Sequence, residues 1–143
     1  MNNDRFKFRA WSIRERKYHY DIEDAYSNDS HICSDIPNDQ DGYPNYHHFF
    51  GEIITDPGYI TEQCTGLKDK NGKLIYEGDV VSFSWQLKDN EVCKIVWDKI
   101  HCSFACVDIK TRADFITWYS VFENGQSNRC EIIGNIHEME VTK

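Results

Sequence analysis

Six cysteines and six histidines are the first residues whose chemistry needs an account. The thiols are Cys33, Cys64, Cys93, Cys102, Cys106 and Cys130. An even count permits a disulfide framework. The opening MNNDRFKFRAW, however, carries charges where an export signal needs an apolar stretch. The expected compartment is therefore a reducing cytoplasm, where disulfides are rare. No CxxC pair occurs, so zinc lacks its strongest spacing signature. Cys102 and Cys106 sit beside His101 in IHCSFACVDI, which reads as a strand. On a strand they share one face with Phe104 and stand roughly 13 Å apart, too far to hold one zinc together. They read as small core thiols. His47 and His48, adjacent on a strand-like stretch, point to opposite faces and read as surface or packing histidines. No metal and no cofactor is expected.

Two groups of cations are the next candidates. Lys68, Lys70 and Lys73 crowd one hairpin tip. Lys7, Arg9 and Trp11 alternate along one strand as a basic and aromatic face. Either group suits phosphates, with aromatic stacking on single strands or RNA. The plainer reading is a pair of solvated faces, with the lysines also keeping a sheet edge from pairing.

The sequence contains no GxGxxG, Walker loop, GxSxG elbow or HExxH. Asp69-Lys70-Asn71-Gly72 faintly resembles a calcium loop. Placing Gly72 at position six puts Leu67 and Gly78 at the two ligand ends, and both fail. Asp39-Gln40-Asp41-Gly42 fails likewise, with Pro37 and His48 at the ends. The carboxylates form no spacing that implies an acid and base pair. An enzyme would need a site dispersed over distant strands.

Positioning these residues falls mainly to strands, because alternation dominates and helical periodicity is weak. Phe6, Phe8 and Ala10 alternate with Lys7, Arg9 and Trp11; Tyr18, Tyr20 and Ile22 alternate again after a polar break. Residues 1–22 therefore predict a hairpin. Residues 48–55 predict a strand, ended by the Asp56-Pro57-Gly58 turn. In residues 66–81, GLKDKNGKLIYEGDVV, Asn71-Gly72 predicts a type I′ turn with positive φ at both central positions. Glu77-Gly78-Asp79 is a second turn launching residues 80–85, where Val81, Phe83 and Trp85 oppose Ser82 and Ser84. Residues 87–91 predict a polar turn. Strands over 91–98 and 100–109 follow. Residues 113–122 fit a helix or a strand. Residues 130–135 predict a last strand, with one helical turn after it. Short, closely spaced strands of this kind suggest a mainly β fold with little helix, a barrel or tightly curled sheet, and the turn, the strand opening EGDVV, the hairpin and the short closing strand resemble, by analogy, a small SH3-like barrel.

Composition agrees. The 143 residues are 40% hydrophobic and 14% aromatic, enough for one core. No apolar run approaches the ~18 residues of a membrane span. The net charge of −8 is uneven. Residues 21–62 hold ten acids and no Lys or Arg, while the rest of the chain is positive by two. The acidic stretch also holds Pro37, Pro44 and Pro57, and reads as a loop insertion. The expected plan is a single domain over 1–143: a hairpin at 1–22, an acidic variable segment at 23–47 and a barrel body at 48–143.

Four blocks in order resemble the YopX family of phage and prophage proteins. Phe8-Arg9-Ala10-Trp11 resembles its opening FRAW. Residues 64–81, CTGLKDKNGKLIYEGDVV, are similar to its central block, with Cys64 where an aromatic is common. Val96-Trp97-Asp98 resembles the following strand end. Residues 131–138, EIIGNIHE, resemble the closing block, with His137 where Tyr is common. The resemblance implies a phage-derived, mostly β protein of a bacterial cytoplasm, and carries no catalytic residues. The expected function is a noncatalytic interaction module with an unknown protein partner; the alternative is a nucleic-acid-binding accessory factor. A second copy of the chain is a third partner class, and a membrane is not expected.

Overall fold

The computed structural model describes residues 4–24, 50–85, 88–110 and 126–139. These residues are mainly β, in small antiparallel sheets with little helix, and one sheet curls as half a barrel. The chain divides into two compact units, Phe6–Gln63 and Met1–Arg5 with Cys64–Lys143.

In the unit Phe6–Gln63, strand β1 (Phe8–Ser12) pairs with β2 (Lys17–Tyr20), with Arg9 opposite Tyr20 and Trp11 opposite Tyr18. This is the expected N-terminal hairpin. On its other side β1 pairs with the start of β3 (Tyr59–Lys68), with Arg9 opposite Glu62 and Trp11 opposite Ile60. The sheet's even face carries Ala10, which is buried with Ile22 and Ile53 against Phe8, Phe50 and Tyr59. Ile53 belongs to helix α1 (Phe50–Thr55). The expected strand over 48–55 is corrected to this helix across its described part. Phe50 and Ile53 stand one helical turn apart, which brings both to the sheet where a strand would split them. Packing outweighs the modest helix propensity of its β-branched residues. The helix ends at Thr55; the next residue is Asp56, whose Oδ1 accepts the Gly58 N–H at 2.7 Å, in the expected Asp-Pro-Gly turn.

In the other unit, the end of β3 pairs with β4 (Leu74–Tyr76). A second sheet runs in the order β7, β6, β5, β8: Ser103–Asp108, Lys88–Asp98, Asp79–Trp85 and Cys130–Asn135. Val81 faces Cys93 and Ile132, while Ile95 faces Cys106. One core follows: Ile75, Val81, Phe83, Cys93, Ile95, Cys106 and Cys130, with Leu67, Phe104 and Ile132 against it. Each large apolar side chain so buried contributes about 1.5–3 kcal/mol. A register shift opposite Val80 and Val81 leaves Ile133 of β8 as the extra residue, and it is exposed; Val80 and Val81 are both fully buried. Helix α2 (Ile136–Met139) is the expected final turn, and Asn135 Oδ1 caps it by accepting from His137 and Glu138 N–H.

Four further expectations change. The expected polar turn at 87–91 is strand from Lys88 onward. The strand expected over 100–109 begins at Ser103, because Cys102 has a φ of 50° and ends a turn. Cys102 is therefore exposed and does not share the face of Phe104 and Cys106. The Asn71-Gly72 turn is not type I′, since only Gly72 has positive φ there, at 79°. Gly72 N–H bonds to Asp69 C=O and Asp69 N–H to Lys73 C=O, each at 2.9 Å. That is a three-residue loop closed by a left-handed glycine. Residues 113–122, Cys33, His47 and His48 lie outside the described residues.

Candidate functional site

The β3–β4 hairpin tip is organised by a carboxylate. Asp69 is 1% exposed. Its Oδ1 accepts the N–H groups of Asn71 and Lys73 at 2.9 Å, and its Oδ2 accepts that of Ile132 at 3.2 Å. The loop is thus held from inside, and its side chains point outward. Lys70, Asn71 and Lys73 are exposed and Lys68 is half-buried. Of the three expected lysines, Lys68 closes β3 and Lys70 and Lys73 follow in the loop. Lys68 Nζ stands 3.7 Å from Asp4, and Lys70 Nζ stands 2.5 Å from Glu131.

A second segment lies beside this tip. Lys68 forms a parallel bridge with Gln126. Ser127 N–H donates to Lys68 C=O at 3.0 Å, and Lys70 N–H to Cys130 C=O at 2.8 Å. Ser127 is fully buried, and its Oγ accepts the N–H groups of Arg129 and Cys130 at 3.1 Å. That tight turn leaves Gln126, Asn128 and Arg129 exposed. Sequence reading missed these three. Their only signal is the polar run Gln126-Ser127-Asn128-Arg129, which sits far along the chain from the lysines. Among the described residues, Lys73 and Arg129 have no ion-pair partner.

The other expected cations lie in the unit Phe6–Gln63. Lys7 stands 3.6 Å from Asp21. Arg9 is 3% exposed and Trp11 7% exposed, so the expected outward basic and aromatic face is corrected to a buried one. Arg9 Nε donates to Glu62 Oε2 at 2.7 Å, and its guanidinium lies 4.0 Å from the Tyr18 ring centroid. Trp11 meets the same ring edge-on at 5.0 Å. The Arg9 charge serves the sheet.

The β6–β7 turn presents a different surface. Asp98 Oδ1 accepts the Ile100 N–H at 2.8 Å, and Oδ2 bonds to His101 Nδ1 at 2.5 Å. The His101 hydrogen bond, followed by that from Ile100, holds the Asp98 carboxyl below its ordinary pKa. This turn displays Ile100 at 88% exposure. Beside it Trp97, 42% exposed, meets Phe104 edge-on at 5.1 Å.

Four of the described thiols are packing groups. Cys64, Cys93, Cys106 and Cys130 are buried. Burial, then Asp108 and Glu91, pushes Cys93 up to about 11. Burial, then Asp69, Asp79 and Cys93, pushes Cys130 up to about 12. Burial raises Cys106 as well. Such thiols stay protonated and poorly nucleophilic. The described residues hold no group of three His, Cys, Asp or Glu placed for a metal. None of their helices is long and apolar enough to cross a membrane.

Comparison with known proteins identifies one family. The sequence profile described as YopX protein matches residues 7–140. No curated protein matches the chain. Among solved structures the fold is similar to that of protein EF1440 from Enterococcus faecalis. That likeness has a TM-score of 0.53 at 23% identity, over 96% of this chain and 97% of the other.

Proposed function

This chain belongs to the YopX family, and we propose that it is a prophage-encoded, noncatalytic interaction module of the bacterial cytoplasm. Its partner is a protein, docked on the β6–β7 turn. The carrying observation is Ile100, 88% exposed on a turn fixed by Asp98. An apolar side chain displayed by a preorganised loop loses little conformational entropy on docking. Trp97 beside it adds aromatic area of the kind that dominates interface energetics. The buried carboxylates serve structure: Asp69 holds the hairpin tip, Asp79 Oδ2 accepts the Tyr76 N–H at 2.8 Å, and Glu62 holds Arg9.

The test is affinity capture from a lysate of the bacterial host with wild type, Ile100→Asp and a chain lacking residues 23–46. Ile100→Asp should lose the captured protein and keep its melting temperature. Equal capture by wild type and Ile100→Asp would refute the turn as the docking point, and capture equal in the shortened chain would exempt the acidic segment. A second reading, a nucleic-acid-binding accessory factor of phage origin, is favoured by the exposed cations Lys73 and Arg129, which lack ion-pair partners among the described residues.

A further inference from the structure

We infer that Asn71 is a site of spontaneous deamidation, and that the Asp69 clamp on the hairpin tip sets its rate. Asn71 is exposed and is followed by Gly72. Among the described residues no other asparagine precedes a glycine, and Asn124-Gly125 lies outside them. A glycine leaves its own nitrogen without a neighbouring side chain in the way of attack. A Cβ at Gly72 would meet nothing within 4 Å, so a ring has room to close there. Gly72 N attacks Asn71 Cγ, and the N–Cγ bond forms as the Cγ–Nδ2 bond breaks. The proton of Gly72 N–H leaves with Nδ2 as ammonia, and a succinimide remains. Attack within one chain needs no encounter between separate reactants. Water then opens the ring at either carbonyl, giving aspartate or isoaspartate. One water is consumed and one ammonia released, with no oxidant or reductant.

The folded loop holds this chemistry back. Gly72 N–H, the group that must lose its proton, donates to Asp69 C=O at 2.9 Å. The Asp69 carboxylate fixes the residues on both sides of it, accepting Asn71 and Lys73 N–H at 2.9 Å. A negative charge inside the loop also opposes forming an anion at Gly72 N. The reaction therefore follows local opening of the tip. Its product then changes that tip. Aspartate and isoaspartate both put a carboxylate where a neutral amide stood, between Lys70 and Lys73 in the chain. Isoaspartate also adds a carbon to the backbone of a loop that one carboxylate closes. It breaks the clamp, and with it the Asp69 bond to Ile132 N–H at 3.2 Å.

The test ages the full chain at pH 8, cuts it after glutamate and weighs the fragment 63–77, in which Asn71 is the one asparagine. Cleavage after Glu123 and Glu131 puts Asn124 in a different fragment. Conversion of amide to acid should be at least about tenfold slower in the folded chain than in a synthetic peptide of residues 67–77. Asp69→Ala should speed it at least about threefold in the folded chain. Asp69→Asn keeps one acceptor oxygen and should fall between, which carries the test if the alanine chain does not fold. Arg9→Met, which weakens the other unit, should leave the rate unchanged. The isolated isoaspartate chain should unfold at lower urea than the unmodified one. No conversion in peptide or chain would overturn the site. Equal rates in folded chain and peptide would overturn the clamp, as would equal acceleration by Arg9→Met and Asp69→Ala. Unchanged urea unfolding of the isoaspartate chain would overturn the loss of the clamp in the product.

Discussion

Asp69 Oδ2 accepts the backbone N–H of Ile132 across 63 residues of sequence, and the same carboxylate closes its own hairpin loop through Asn71 and Lys73. One buried side chain therefore ties β8 to the β3–β4 hairpin and gives the cationic tip its shape. Asp69→Ala would leave three backbone donors without their acceptor, in a place that is 1% exposed. We expect a loss of about 2–4 kcal/mol by urea unfolding. Asp69→Asn should fall between wild type and alanine, because its amide retains one acceptor oxygen.

Glycines at two points of the central block should differ in cost. Gly66 and Gly72 both have φ near 80°. A Cβ at Gly72 meets open space, whereas at Gly66 it lies 3.2 Å from Arg5 Cβ. Gly72→Ala should cost about 1 kcal/mol for the left-handed backbone. Gly66→Ala should cost visibly more in the same urea titration. Equal losses would show that the Arg5 contact yields freely.

The central block was the most legible part of the chain because its instructions are local. Asn-Gly and Glu-Gly-Asp name turns that need no distant partner, and Lys68, Lys70 and Lys73 fall within six residues of one another. Helix α1 was not legible, since Phe50, Ile53 and Ile54 suit a strand as well as a helix, and the contact of Ile53 with Ala10 and Ile22 decides. Cys102 was misplaced because Asp98 recruits the N–H groups of Ile100 and His101, lengthening a turn that alternation alone ends at Lys99. The burial of Arg9 followed from Glu62, which no spacing connects to it. The surroundings of the hairpin tip were half legible for the same reason: Arg129 reaches them only through strand pairing.

The Asp98–His101 contact should be visible by titration. The carboxyl titrates below its ordinary range chiefly through the His101 bond, so the turn gains from it above that range and loses it as pH falls through the lowered value. The Asp98 carboxyl carbon shift should report a depressed midpoint, and His101→Ala should raise it. An unmoved midpoint would assign the depression to the Ile100 N–H instead.

The thiols predict alkaline instability. Their ordinary value is 9.0, and the folded chain raises Cys93 to about 11 and Cys130 to about 12. Above pH 9 the unfolded chain sheds protons that the folded chain keeps, so stability falls as pH rises toward those values. Unfolding free energy should be flat with respect to these groups below pH 9 and decline beyond it, less steeply in Cys93→Ala. In iodoacetamide mapping at pH 8, Cys102 should react first among the described thiols, because only about 0.1% of a thiol with a pKa near 11 is ionised there.

Arg9 and Glu62 are 4% and 3% exposed at the side chain and 2.7 Å apart. Removing one partner strands a charge where water does not reach. Arg9→Met should therefore cost about 3–5 kcal/mol. Arg9→Met combined with Glu62→Leu should recover most of that loss, since an apolar pair of similar volume carries no desolvation penalty. The coupling is read from a double-mutant cycle in urea. Additive losses would mean that the pair contributes through the Arg9–Tyr18 contact, at 4.0 Å, more than through its charges.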